Sequence, residues 1–135
     1  MIIFIILIII SLLLFFCKDN FLNTTNHYNK YNEYLMKGFN ETKKKLQMIN
    51  NNYIKSLKYY DEKNIMYTSI KDNIQKVDNF IYIIDSLDPN MNTNDLIIQA
   101  EQICQHMIYE GPTETRITAN NLRVIIDQVI STNLP

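Results

Sequence analysis

Apolar and polar positions divide this chain unevenly. The first seventeen residues, MIIFIILIIISLLLFFC, carry no charge, and Ser11 is the one polar side chain among them. A run of this kind predicts a membrane helix. Seventeen residues at roughly 1.5 Å each span about 25 Å, a little short of a ~30 Å hydrocarbon layer but tolerable once Lys18 snorkels and the bilayer thins. The residues expected in the membrane are Ile2, Ile3, Phe4, Ile5, Ile6, Leu7, Ile8, Ile9, Ile10, Leu12, Leu13, Leu14, Phe15, Phe16 and Cys17. No basic residue precedes the run and no small residues close it, so the usual marks of a cleaved signal are missing. An uncleaved anchor is therefore the leading expectation. Removal of the segment as a signal, or lipidation of Cys17, stands as the alternative.

From Phe39 the pattern changes to a spacing of three and four. First core positions fall at Phe39, Leu46, Tyr53, Tyr60, Tyr67, Ile74 and Ile81, and second core positions at Thr42, Ile49, Ser56, Lys63, Ile70, Val77 and Ile84. An average step of 3.5 keeps one seam facing a partner helix, whereas unmodified 3.6-residue turns would rotate it by about 20° per heptad. The stripe extends backward through Leu35, Tyr31 and Tyr28, with Gly38 interrupting it at roughly 1 kcal/mol relative to Ala. Its middle is poor. Lys63 in a dry seam would carry a desolvation penalty of several kcal/mol, and the clusters Asn50-Asn51-Asn52 and Asp61 to Asn64 offer two places to break and recap. One long coiled-coil helix and a folded bundle of shorter helices both remain open.

Asp88-Pro89-Asn90 ends this segment, because proline cannot continue the helical ladder and biases the preceding residue away from helix. Beyond it, Thr93 or Asn94 can cap a helix to about Tyr109 whose apolar face is Leu96, Ile97, Ala100, Ile103, Cys104, Met107 and Ile108. Gly111-Pro112 terminates it. A last helix is expected over 119–131, capped by Thr118, with Leu122, Ile125, Ile126 and Val129 on one face. Neither helix buries its face alone, so each must pack on the rest of the chain or on a partner.

Composition changes the picture little. Thirteen basic and fourteen acidic side chains leave a net charge of -1, which lowers the odds of a nucleic-acid partner. Half of the chain is Ile, Asn, Lys, Tyr or Phe, all with A/T-rich codons, so the many Asn and Tyr residues report nucleotide bias before function. Lys43-Lys44-Lys45 reads as solvated charge flanking the seam. Sequons at Asn23 and Asn40 mark possible glycosylation sites and favour a lumenal or extracellular bulk, since the charges Lys18/Asp19 and Lys30/Glu33 cancel and give the positive-inside rule little to act on.

Candidate chemistry is thin. Cys104 and His106 stand two apart on a helix and diverge, and no second Cys/His pair completes a metal site. No phosphate-binding loop, zinc motif or RNA-binding strand motif occurs. No catalytic, cofactor or metal residues are assigned, and no small-molecule substrate is inferred. Arg116 and Arg123 are the only arginines; a solvated side chain is the default for each, and Arg123 with Leu122 and Ile126 is the interface candidate on the last helix.

These readings combine into an all-α protein. Its expected parts are a membrane anchor at 1–17, a Tyr-rich and partly helical connector at 18–38, a heptad-bearing segment at 39–88, a helical pair at 93–131 and a tail at 132–135. The expected role is a non-enzymatic, single-pass structural or assembly protein of an endomembrane, cell envelope or virion membrane, partnered by the bilayer and by itself or another helical membrane or virion protein. The alternative is a secreted or lipid-tethered compact helical binding protein after N-terminal processing. A more distant one is a small enzyme using His106 and a nearby acid.

Overall fold

A computed structural model describes residues 2–131, with side chains placed for 2–15 and 30–131. Four helices account for nearly all of them: α1 (Ile2–Leu57), α2 (Ile65–Asp85), α3 (Thr93–Tyr109) and α4 (Thr115–Ile130). The pairings fix their directions. Asn50 donates to Asp78 Oδ1 at 2.7 Å while Lys43 bonds Asp85 at 2.5 Å, so α2 runs antiparallel to α1. Tyr34 donates to Gln128 and Tyr53 to Glu114, so α4 is also antiparallel to α1. Cys104 meets the Ala119 carbonyl and Thr115 donates to the Met107 carbonyl, which makes α3 and α4 antiparallel in turn. The result is an up-down-up-down bundle with short connections.

The helix of 39–88 is not continuous. It breaks between Leu57 and Ile65, at the second of the two weak clusters, where tight turns from Ser56 and Leu57 run into Asn64. The Asn64 side chain caps α2 by accepting from Met66 N at 2.9 Å. Both limbs of this hairpin turn their apolar stripes inward: Phe39 and Leu46 from α1 are buried opposite Val77 and Ile84 from α2. The heptad rhythm persists because two antiparallel helices share one core, not because one helix seeks a second chain. Lys63 falls in the turn and is exposed, which removes the desolvation penalty a dry seam would impose. Asn50, from the first weak cluster, stays helical and is used as a cross-link to α2.

Two helix starts differ from the expected ones. Asn92, not Thr93 or Asn94, caps α3 by accepting from Asn94 N at 2.9 Å. Thr93 is instead buried, its hydroxyl donating to Asn32 Oδ1 at 2.7 Å. The same Asn32 donates to the carbonyls of Met91 at 2.7 Å and Pro89 at 3.2 Å, so one buried side chain holds the α2–α3 turn against α1. α4 begins at Thr115, about one turn before the expected Ala119, because the Thr115 hydroxyl bonds the carbonyls of Pro112 and Met107 and closes the corner.

The membrane-anchor expectation is overturned. Among the described residues no helix is long and apolar enough to cross a membrane. The seventeen charge-free residues, about 25 Å of helix, are fewer than the roughly 20 that a ~30 Å hydrocarbon core asks of a span. With the anchor go the single-pass membrane location, the bilayer as a partner and the membrane-scaffold role. Phe16 and Cys17 lie outside the described side chains.

Candidate functional site

The bundle core is contributed by all four helices, with Leu35 and Phe39, Val77 and Phe80, Leu96 and Met107, and Leu122 and Ile126 among its members. The neighbours α2 and α3 make the least contact, and the seam between them is open as two adjoining hollows. One, of about 260 Å³, is lined by Lys76, Asn79, Phe80 and Ile83 from α2 and by His106 and Glu110 near the end of α3. The other, of about 290 Å³, is lined by Tyr82, Ile83, Ser86 and Leu87 with Met91 and Gln99. Ile83 belongs to both, so the two hollows adjoin along the α2–α3 seam, each with a largely apolar lining and polar residues at its edge.

Local chemistry explains why the hollows stay open. Phe80 is buried and fills the floor, and the corner after α3 closes directly over it at Gly111. A Cβ on Gly111 would lie 2.5 Å from Thr115 Oγ1, 2.7 Å from the Met107 carbonyl oxygen and 2.9 Å from the Phe80 ring. Polar residues line the α3 edge: Gln99 and His106, with Glu110 at the end. His106 Nδ1 and Glu110 Oε2 stand 3.0 Å apart, and Lys76 pairs with Asp72 at 3.0 Å on the opposite edge. These are exposed pairs of small energetic weight.

Charge is segregated between elements, which the near-neutral total hides. Residues 65–110 carry Lys71 and Lys76 against Asp72, Asp78, Asp85, Asp88, Asp95, Glu101 and Glu110, a net of -5. Residues 30–63 carry eight lysines against Glu33, Glu41, Asp61 and Glu62, a net of +4. The lining of the hollows does not share this imbalance: its charged side chains are Lys76 and Glu110, while Asp78 and Asp85 bond to α1.

The other singled-out residues are dispersed. Of the seam, Phe39, Leu46, Ile70, Val77 and Ile84 are buried, whereas Ile49, Tyr53, Tyr60, Tyr67, Ile74 and Ile81 are half-buried. Leu122 and Ile126 are in the core and Arg123 is exposed, so these three do not share a free surface. Asn40 is exposed, and Asn23 lies outside the described side chains. Cys104 is fully buried, and burial pushes its thiol up to about 11. It faces the Ala119 carbonyl, away from the exposed His106, so the two do not form a pair. Tyr53 is held well above the ordinary phenol range by burial and then by its bond to Glu114, a tie between α1 and the α3–α4 corner. Among the described residues no cluster of three or more His, Cys, Asp or Glu could hold a metal ion. The hollows were missed in the sequence because most of their lining residues belong to ordinary amphipathic helices and no sequence signal tells which two helices pack least closely.

Comparison with protein-family models, curated proteins and solved structures finds no match to this chain.

Proposed function

We propose that the chain is a compact helical binding protein, secreted or lipid-tethered, that works after its N-terminal apolar segment is removed. One observation carries this reading. Every described side chain from Ile2 to Phe15 is exposed, and among the described residues the core together with its packed flank begins at Tyr31. The segment therefore contributes no described contact to the bundle, and its loss leaves the core, the Asn32 clamp and the hollows intact. An all-apolar helix face in water is costly, at roughly 25 cal/mol per Å² of surface left wet, so its removal is also favourable for a water-exposed product. The bundle that remains has a buried core and hollows on its surface, which supports recognition by surface contact.

Intact-mass measurement on the chain purified from its native source tests the reading. The expected product lacks the first sixteen or seventeen residues, with added lipid mass on Cys17 if it is tethered. A mature chain that retains Ile2 to Phe15 would overturn the proposal.

A further inference from the structure

We propose that Asn40 carries an N-linked glycan that is attached before α1 folds. This rests on the secreted reading above for delivery of the chain to a glycosylating compartment, and it assigns a modification site on the mature bundle. Asn40-Glu41-Thr42 has the acceptor pattern and lies inside α1. Two steps along a helix turn through about 200°, so the first and last members of the triplet point to nearly opposite sides. The acceptor is the outward one. Asn40 is exposed in a stripe with Lys37, Lys44, Gln47 and Asn51, all exposed and spaced three and four apart. Thr42 is 4% exposed and shares the inward face with Phe39 and Leu46 of the core. The opposite phase would drive the sugar into a close-packed interior and exclude it. As the helix stands, a glycan on Asn40 meets only solvent and shields the lysine-bearing stripe of α1 from partners.

The inward Thr42 sets the order of events. N-glycosyl transfer reads the hydroxyl two residues after the acceptor, and in the folded chain that hydroxyl is buried and donates to the Gly38 carbonyl at 2.8 Å. A transferase reaches both side chains only while this stretch is not helical. Attachment therefore precedes packing of α1, and folding then closes the triplet with the glycan outside. In the transfer, Asn40 Nδ2 attacks the anomeric carbon of a polyprenyl-pyrophosphate-linked oligosaccharide. The new C–N bond forms as the bond from that carbon to the pyrophosphate oxygen breaks. The lipid pyrophosphate departs with the electron pair, and the amide nitrogen gives up one proton to a base of the transferase.

The test has two arms, both on the full chain. In the first, it is translated in a cell-free system containing endoplasmic-reticulum microsomes. The expected product shows a gel shift that glycosidase reverses, and release in heavy-oxygen water converts the carrying residue to labelled Asp, which peptide mass places at position 40. Asn40→Gln is expected to lose this glycan, and Thr42→Ser, which keeps the hydroxyl, to retain it. Circular dichroism and thermal melting confirm that both variants fold. In the second arm, the folded, unglycosylated chain is given solubilised transferase with its lipid-linked donor. Transfer to Asn40 is expected to be at least about tenfold slower than to Leu46→Pro, whose interior proline breaks α1, because the folded chain reacts only through its rare open states.

An unmodified Asn40 on a chain that has entered the microsomes and lost its N-terminal segment overturns the proposal and leaves the secreted reading standing. Equal transfer to the folded chain and to Leu46→Pro overturns the order of events. A chain that stays outside the microsomes removes the secreted reading and the proposal with it. A glycan at position 40 on a chain that retains Ile2 to Phe15 upholds the site and overturns the reading.

Discussion

Gly111 sits where the end of α3, the start of α4 and Phe80 of α2 meet, and the space for a side chain there is already occupied. Two of the three nearest atoms, the Met107 carbonyl oxygen and the Thr115 hydroxyl, are bonded to each other at 2.8 Å and cannot both withdraw without opening the corner. Gly111→Ala is therefore expected to destabilise the fold by about 2–3 kcal/mol, at the upper end of overpacking costs, read as a lower urea midpoint at unchanged slope. At this scale the sequence was partly legible. Gly111-Pro112 marked the end of a helix, but that the glycine also admits Phe80 depends on a contact thirty-one positions away. Gly38 shows the same limit. In the sequence it weakens a helix, and in the fold it lets α4 approach, since a Cβ there would stand 2.9 Å from Ile125 Cδ1.

Among the elements, α1 and α2 carry the lesson of the heptads. A 3-4 stripe states that a helix has one buried face; it does not state whether the covering helix belongs to another chain or lies beyond the next turn. The poor residues from Asp61 to Asn64 decide it, because they give the chain a place to reverse and Asn64 a helix to cap. Asn64→Ala removes that acceptor and is expected to cost about 1 kcal/mol, measured by chemical denaturation. Asn50-Asn51-Asn52 had equal standing by propensity and does not break. Tertiary bonding overrides it, with Asn50 donating to Asp78 Oδ1 and, at 3.4 Å, to the Ile74 carbonyl. Caps at the α3 and α4 starts fall one to four residues before the expected positions, at Asn92 and Glu114, for a related reason. Thr93 and Thr115 bond to distant or corner groups, which single-helix reasoning does not see.

The whole molecule is a bundle with its charge divided, basic along the 30–63 limb and acidic across α2 and α3, and with an apolar segment outside its core. The composition and the Pro89 and Gly111-Pro112 breaks made the all-α class legible. The same composition points away from the organising part of the molecule, because a charge-free terminus reads as an anchor while the packing lies elsewhere. The structure places the organisation at Asn32, Phe39 and the helices they clamp, and leaves Ile2 to Phe15 uncovered. The most direct measurement compares urea denaturation of the full chain with that of the chain lacking residues 1–17. The two unfolding free energies are expected to agree within about 0.5 kcal/mol, as for changes away from any buried contact. A loss of more than about 2 kcal/mol, the scale of removing a buried core side chain, would contradict a bundle independent of its N-terminal segment.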